Sequence, residues 1–310
     1  CDCVIVSDCI RKTDTNEYAD ILLPALAWGE KDGTVTNSER RISRQKAFLP
    51  APENAKPDWW IITEVAKRMG YADAFNYETA ADIFREHATL SGYQNKGQRD
   101  FDISGLSDLT NEEYNSLTPT IWPVNKGKTS KKMFSDGKFF HPNGKARMIA
   151  VEPRLPVHPA SQIYPLILNT GRVRDHWHTL TRTGKSARLS AHINEPYLLV
   201  HPVDAQKYKL SDTALVTVTS EWGNSIARCV ISNDQKQGCV FMPMHWNKQF
   251  AANGCVDNVV NPVTDPVSGQ PELKHTPVSI KPVNMQWEGF LISRDLLEIK
   301  TPYWVRSIGK

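Results

Sequence analysis

The densest run of polar and aromatic residues in the chain, residues 169–184, directly follows an apolar segment at residues 166–168. It begins Asn-Thr-Gly-Arg and contains His-Trp-His-Thr at residues 176–179. A strand that ends in Thr-Gly-Arg suits a phosphate group, because glycine admits close backbone approach and arginine offers a planar fork of donors. The pattern predicts an anion-binding loop, and a polar loop with an incidental glycine is the alternative.

Two histidines of this run, His176 and His178, would share one face if the segment were a strand. Two imidazoles can bind a metal ion, but no third ligand lies nearby in the sequence. Trp177 between them favours packing against a flat ligand, so hydrogen bonds to a polar ligand are the preferred interpretation. The chain contains neither a Walker P-loop nor a G-x-G-x-x-G motif, which removes support for an ordinary nucleotide-binding fold.

Three cysteines near the start, Cys1, Cys3 and Cys9, form the pattern C-x-C-x5-C. Zinc and iron–sulfur ligand sets usually contain C-x2-C pairs and four ligands. Cys3 and Cys9 bracket a strand, which separates them by roughly 20 Å at ~3.3 Å per residue. A metal site is therefore disfavoured, and a zinc-binding regulator that also uses His176 is a weak alternative. The scattered cysteines favour a reducing, cytoplasmic location.

Composition excludes two classes of partner. The formal charge of +3 over 310 residues is too small to indicate nucleic-acid binding. No stretch reaches the ~18 to 20 continuous apolar residues of a membrane helix. The chain starts at Cys1, and residues 4–6 read as a buried central strand, so we expect a fragment of a longer protein.

The first half of the chain reads as α/β. Asp58 after Pro57 is the expected N-cap of an amphipathic helix that stops at Gly70. A second helix is predicted over residues 79–90, and a capping box at residues 110–113 predicts a third. Residues 30–37 are rich in turn formers, and residues 122–156 read as a connection with two glycine-containing turns. The apolar stripe of the first helix consists of Ile62, Val65, Ala66 and Met69.

The second half reads as short strands. A hairpin is predicted where residues 221–224 join two of these runs. Short strands at this spacing favour a compact barrel over an α/β sheet. The predicted strands are residues 164–168, Tyr197–Val200, 214–219, 225–231 and 239–244.

Three ordered motifs resemble the dimethyl sulfoxide reductase family of molybdopterin oxidoreductases. They lie at residues 19–41 (ADILLPA, then WGEKDGTVTNSERR), at residues 170–179 and at residues 265–274 (DPVSGQPELK). The resemblance implies an α/β segment that is part of a doubly wound α/β domain, followed by a β-rich double-psi barrel domain. The implied bounds are 1–155 for the α/β region, 156–284 for the dinucleotide-binding barrel and 285–310 for a tail or linker.

Members of that family carry molybdenum held by two molybdopterin guanine dinucleotides, and an iron–sulfur cluster. The resemblance places the molybdenum ligand and the cluster cysteines in an N-terminal part outside this chain. It therefore implies no metal ligand and no identified catalytic residue here. His245 or Trp246 would fall near the active-site region. The implied cofactor-binding residues are Ser7, Asp8, Lys31, Asp58, Thr170, Gly171, Arg172, Val173, His176, Trp177, His178, Thr179, Trp246, Asn253 and Lys274.

Within the family, the His-Trp-His-Thr run at residues 176–179 most resembles assimilatory nitrate reductases. Formate dehydrogenases typically have Tyr-His-Thr at this place and are the alternative. A second alternative is a non-catalytic dinucleotide-binding module. The resemblance implies nitrate as the small-molecule substrate and an electron-donor protein or domain as partner, without nucleic acid or membrane. The fragment alone is expected to be inactive.

Overall fold

The computed structural model describes residues 1–125 and 132–308. The chain folds as two compact units: unit 1 comprises Cys1–Arg11 and Tyr18–Glu152, and unit 2 comprises Lys12–Glu17 and Pro153–Lys310. Residues 126–131 of the predicted connection lie outside the described residues. Within the described ranges, no helix has the length and apolar character needed to cross a bilayer.

The described residues of unit 1 form two small sheets. In the first, β1 (Ile5–Asp8) pairs in parallel with β2 (Ile21–Pro24). The second is antiparallel, with β4 in the centre. Its strands are β3 (Gly33–Thr36), β4 (Arg41–Gln45) and β5 (Thr120–Ile121).

Two predictions about unit 1 were wrong. The strand expected at residues 4–6 is formed by Ile5–Asp8 and is not buried, since Ile5 is 57% exposed. Its sheet has only two strands in the described part of the chain. The turn-rich residues 30–37 contain strand β3, because the turn lies further along the chain. There the Asn37 side-chain oxygen accepts hydrogen bonds from the amides of Glu39 and Arg41.

The three predicted helices of unit 1 are confirmed as α1 (Asp58–Ala66), α2 (Ala80–Gly92) and α3 (Asn111–Asn115). Helix α1 continues into a wider turn, Lys67–Tyr71, in which Gly70 has the left-handed φ of 94°. Pro57 is its N-cap, which corrects the prediction of Asp58. Most of its apolar stripe is exposed, whereas α2 and α3 bury Phe84 and Tyr114 against Ile42.

Unit 2 is a closed barrel of six strands in the order β10-β6-β11-β8-β9-β7. The β6–β10 and β7–β9 pairs are parallel and the other pairs are antiparallel. Alternate side chains of the strands fill the interior, and Leu168, Leu198, Val216 and Val278 are completely buried. The strands are β6 (Leu166–Gly171), β7 (Tyr197–Val200), β8 (Leu215–Thr219), β9 (Asn224–Ile231), β10 (Cys239–Pro243) and β11 (Thr276–Pro282). Two short helices, α4 (Ala187–Ser190) and α5 (Pro202–Lys207), lie in the connections.

The predicted barrel and the hairpin between β8 and β9 are confirmed. Strand β11 was not predicted, because it contains Pro277 and Pro282 and proline lacks the N–H of a ladder. Pro277 lies opposite Ile167 in the β6–β11 pair. The doubly wound domain stays a prediction, since the described part of unit 1 contains one parallel strand pair, β1 with β2, and one isolated parallel bridge between Ala25 and Lys56.

Candidate functional site

Three of the predicted cofactor residues meet in unit 1, although they lie far apart in the sequence. Ser7 is on β1, Lys31 precedes β3, and Asp58 opens helix α1. The Ser7 hydroxyl donates to Asp58 Oδ1 at 2.9 Å, and Lys31 Nζ donates to Asp58 Oδ2 at 2.9 Å. We refer to these residues as the Asp58 cluster.

The Asp58 carboxylate is held in its charged form. Partial burial acts to raise its pKa, but hydrogen bonds from Lys31 and Ser7 and the Lys31 charge together lower the pKa below 3.8. Its side chain is 48% exposed, so each carboxylate oxygen keeps acceptor capacity for a further donor. The cluster therefore presents an ionised acceptor, a cation and a hydroxyl together, which suits an N–H edge beside a phosphate or hydroxyl group.

Asp8, the fourth predicted residue of unit 1, is held in a different way. Its Oδ1 accepts from the amide of Ile10 at 2.9 Å, as in an Asx turn. The turn fixes the carboxylate at the end of β1, and the residue is half-buried. Although Asp8 is next to Ser7 in the chain, its side chain is not hydrogen-bonded to Asp58.

In unit 2, Thr170, Gly171 and Lys274 come together at the end of β6. The Thr170 hydroxyl donates to the carbonyl of Leu273 at 2.8 Å, and Lys274 Nζ donates to the Thr170 carbonyl. A Cβ on Gly171 would lie 2.8 Å from the ring of Phe241 and 3.8 Å from Lys274 Nζ. A close aromatic side chain therefore disfavours a larger residue here, with an ammonium group beside it, and the predicted approach of a phosphate to Gly171 stays a prediction.

The loop of residues 172–179 contains most of the predicted cofactor-binding residues of unit 2, and we call it the cofactor loop for that prediction. It follows β6 and forms neither helix nor strand. Arg172 is exposed and makes no hydrogen bond or ion pair with any residue that the structure describes. Arg174 instead forms a two-bond ion pair with Asp175, with both distances at 2.9 Å. In this loop the guanidinium group of Arg172 is exposed and not hydrogen-bonded within the described residues. A guanidinium is the group best suited to bind a phosphate in a planar, two-bond geometry.

The two histidines of the loop do not share a face, because the segment is not a strand. His176 is 7% exposed, whereas His178 is exposed with a left-handed φ of 41°. His176 Nε2 lies 2.6 Å from the carbonyl of Ile193, so this nitrogen carries the hydrogen. Trp177 is 44% exposed beside His178, and its predicted packing against a flat ligand stays a prediction.

Three further predicted residues contribute to the structure of unit 2. Val173 is buried, and Thr179 accepts a hydrogen bond on its carbonyl from Asn247 at 2.8 Å. Trp246 is 2% exposed and packs with Leu180 and Phe250 in a small core. Val173 and Thr179 fix the backbone of the loop through burial and a hydrogen bond, and Trp246 belongs to the small core that includes Leu180, directly after the loop.

Asn253 contacts another part of unit 2. It has a left-handed φ of 53°, its carbonyl accepts from Ser225 Oγ and the Ile226 amide, and its side chain donates to the Pro302 carbonyl. These bonds connect the residue to β9 and to the C-terminal segment. The structure does not bring Asn253 into hydrogen bonding with the described cofactor loop.

Two residues that the sequence did not assign organise the site. His245 is completely buried and bonds to the cofactor loop, and Asn261 is 2% exposed and donates to the carbonyls of Glu272 and His275, on either side of Lys274. The resemblance placed His245 or Trp246 near the active-site region, but it gave His245 no role in holding the loop. The one local signal at Asn261 is the following Pro262, which indicates a turn and nothing more.

The cysteines do not combine into a ligand set. Cys1, Cys3 and Cys9 are exposed free thiols. Across the described ranges, no group of three or more histidine, cysteine or acidic residues is placed to hold a metal ion. The zinc-regulator alternative therefore gains no support from the geometry.

Comparisons with known proteins bear on both units. Residues 1–68 match the molybdopterin oxidoreductase family model, and residues 166–277 match the molydopterin dinucleotide binding domain. A nitrate reductase of Klebsiella oxytoca is 51% identical over 100% of the chain, and an F420-dependent formate dehydrogenase subunit alpha of Methanocaldococcus jannaschii is 35% identical over 90%. The chain spans 36% and 39% of the length of these curated relatives.

A solved structure shows the same fold. Acetylene hydratase from Pelobacter acetylenicus aligns over 90% of this chain and 40% of its own length, with a TM-score of 0.65 at 19% identity. The two family models cover the Asp58 cluster and the cofactor loop, which are the places where the predicted residues gather. The chain belongs to the molybdopterin oxidoreductases and carries a molydopterin dinucleotide binding domain in its barrel.

Proposed function

We propose that the protein containing this chain is a nitrate reductase and that the chain binds its molybdopterin guanine dinucleotides. The observation that carries the proposal is the 51% identity to the Klebsiella oxytoca nitrate reductase, which extends over the whole chain. The formate dehydrogenase of Methanocaldococcus jannaschii, at 35%, supports the alternative less well. A non-catalytic binding module is the second alternative, and a full-length protein without molybdenum would favour it.

The charges and hydrogen-bonding groups of Asp58, Arg172 and Lys274 are complementary to a guanine dinucleotide. The ionised Asp58 carboxylate accepts in pairs from N–H donors, such as those on the edge of guanine. Arg172 and Lys274 carry the positive charge that pyrophosphate oxygens require. We assign one dinucleotide to the Asp58 cluster and the other to the cofactor loop, in a barrel of the double-psi type.

The roles of the chain follow from these contacts. When bound, molybdenum would supply the oxygen-atom transfer chemistry, and in the overall reaction nitrate takes up two electrons and two protons and yields nitrite and water. The electron pair comes from an electron-donor protein or domain through an iron–sulfur cluster outside this chain. Residues of this chain bind and orient the cofactor and neutralise its phosphates. An assimilatory, cytoplasmic role is part of the proposal.

The experiment that tests the proposal uses the full-length gene product. Reduced viologen is supplied with nitrate, and oxidised viologen is supplied with formate in a parallel assay. We expect nitrate-dependent viologen oxidation with nitrite as product. Formate-driven viologen reduction alone would favour the alternative, and inactivity in both assays with molybdenum present would contradict both enzyme assignments.

Replacing Arg172 with alanine is expected to weaken cofactor retention. A charge-assisted hydrogen bond contributes about 1.5–3 kcal/mol, so the loss corresponds to at least about tenfold in affinity. Molybdenum and guanine nucleotide per protein, measured after gel filtration, report the effect. Arg174→Ala is the matched control, because that arginine lies in the same loop but is paired with Asp175. Equal contents in the Arg172→Ala variant and the wild type would remove Arg172 from the site.

A further inference from the structure

A single buried imidazole connects the two ends of the cofactor loop. His245 follows strand β10 and is completely buried. Its Nε2 lies 2.9 Å from the amide nitrogen of Val173, and its Nδ1 lies 2.6 Å from the carbonyl oxygen of His178. The ring therefore bridges two backbone groups that are five positions apart in the loop.

Only one protonation state satisfies both contacts. The Val173 amide can only donate, so Nε2 must be the bare, accepting nitrogen. The His178 carbonyl can only accept, so Nδ1 must carry the hydrogen. The ring is therefore the neutral Nδ1–H tautomer, because an imidazolium ion would point an N–H at the N–H of Val173.

The surroundings of His245 favour this neutral form. Burial lowers the pKa of the imidazole below 6.5, and the nearby His176, Arg172 and His178 lower it further. The hydrogen bond to the His178 carbonyl acts in the opposite direction. The ring of His176 lies 5.6 Å from that of His245. The environment of His245 thus keeps its Nε2 able to accept the hydrogen bond from the Val173 amide at neutral pH.

The cofactor loop needs such a restraint. His178 in the loop and Leu180 directly after it both have left-handed backbones, with φ of 41° and 64°. Each such residue costs on the order of 1 kcal/mol outside glycine, so the loop would relax without bonds that hold it. One further bond, from Asn247 to the Thr179 carbonyl, lies at the same end of the loop. The bond to Val173 fixes the other end, directly beside the exposed Arg172.

We propose that His245 is a positioning residue for the cofactor, which fixes the backbone of residues 172–179 so that Arg172 and Trp177 face a phosphate-bearing dinucleotide. The inference rests on the proposed function for the identity of that ligand. Since the ring is completely buried, it acts through the loop and does not touch the cofactor itself. The loop conformation is then set by β10, which lies about 70 positions further along the chain.

Three substitutions separate the two bonds. In His245→Gln, the side-chain oxygen reaches the place of Nε2 and can accept from Val173. In His245→Asn, the side-chain N–H reaches the place of Nδ1 and can donate to His178. His245→Phe keeps the volume and loses both bonds. Each variant is made in the full-length protein.

Two measurements are read on each variant: hydrogen exchange at the Val173 amide, and the molybdenum and guanine nucleotide retained after gel filtration. We expect His245→Phe to expose the Val173 amide and to lose cofactor about tenfold faster or more, because both hydrogen bonds of the ring are lost. His245→Gln should restore the Val173 protection and much of the retention, and His245→Asn should restore less. Val278→Ala, a barrel-core variant, is the control for general destabilisation and should keep the Val173 protection.

The pH profile gives a further readout. In the wild type, cofactor loss should accelerate as the pH falls below about 6.5 toward the lower pKa of folded His245, because protonation removes the bond to Val173. The same step should be absent in His245→Gln, which keeps an acceptor that does not titrate in this range. The difference between the two profiles isolates His245 from His176 and His178.

The outcomes separate this inference from the proposed function. Exposure of the Val173 amide in His245→Phe with unchanged cofactor retention would overturn the positioning role, as would full protection and retention in that variant. If His245→Phe does not fold, the contrast between His245→Gln and His245→Asn decides instead, and equal behaviour of the two counts against the inference. Failure of the proposed function appears elsewhere, as a full-length wild-type protein that contains no molybdopterin or that is inactive in the viologen assays.

Discussion

Replacing Asn261 with aspartate should destabilise unit 2 by about 3 kcal/mol at neutral pH, which is the scale for placing a buried charge against acceptors. Asn261 is 2% exposed. Its side-chain N–H groups donate to the carbonyls of His275 at 2.7 Å and Glu272 at 3.2 Å. Its side-chain oxygen accepts from the Val263 amide at 2.9 Å. Aspartate keeps the shape and the Val263 bond but turns a carboxylate oxygen toward both carbonyls.

The same change should weaken the cofactor site. The bonds of Asn261 close the segment of residues 263–275, which carries Lys274 to the Thr170 carbonyl. A segment that opens at this point releases Lys274 from the end of β6. We therefore expect cofactor retention to fall in Asn261→Asp even below the temperature at which unit 2 unfolds.

The sign of the pH dependence identifies the cause. Burial against acceptors should raise the pKa of the new carboxyl above the ordinary ~3.9. The penalty is then present in full above that raised pKa and shrinks as the pH falls and the carboxyl is protonated. Urea unfolding at pH 7.5 and pH 5 measures this, with the exposed Asn233→Asp as control. A loss of the same size at both pH values would contradict the assignment.

Local signals in the sequence predicted the elements whose stabilising contacts are also local. The capping box of α3 is formed as expected, with the Thr110 hydroxyl accepting from the Glu113 amide and the Glu113 carboxylate accepting from the Thr110 amide. The apolar runs of the second half gave five of the barrel strands, because alternation reflects a strand with one face in the core. Strand β11 was not predicted, because its two prolines are unfavourable in a strand, and its pairing with β6 and β8 is seen only in the closed barrel.

Burial could not be predicted at the edges of unit 1. The stripe of helix α1 has the correct helical spacing, yet Ile62 is 61% exposed and Met69 is 67% exposed. The spacing of apolar residues shows which side chains share a helix face, but it does not show whether another part of the protein covers that face. The same holds for strand β1, where Ile5 is apolar but exposed.

The site required long-range information that spacing does not contain. Ser7, Lys31 and Asp58 were grouped by the resemblance of their motifs, and the structure brings them into hydrogen bonding across 51 positions. His245 and Asn261 have no motif of their own. Their importance comes from buried hydrogen bonds, and those depend on which loops the closed barrel brings together.

Replacing Gly223 with alanine should destabilise the barrel by about 3 kcal/mol, at the upper end of the usual cost of overpacking. Gly223 ends the hairpin loop between β8 and β9, and its carbonyl accepts from the Ser220 amide at 2.9 Å. A Cβ at this position would overlap the carbonyl oxygen of Asn258, which is backbone and cannot rotate away. Either the hairpin or the segment after Cys255 must shift.

Gly33→Ala is the matched control, because a Cβ there meets no atom within 4 Å. That variant loses only the flexibility of glycine in the unfolded chain, so its stability should change by less than about 1 kcal/mol. Thermal unfolding with hydrogen exchange in β8 and β9 compares the two, and the loss should be confined to Gly223→Ala. Equal stabilities would contradict the close packing of the hairpin. Since β8 and β9 pair with β11 and β7, a shift at Gly223 should then reach both neighbours of the hairpin in the barrel.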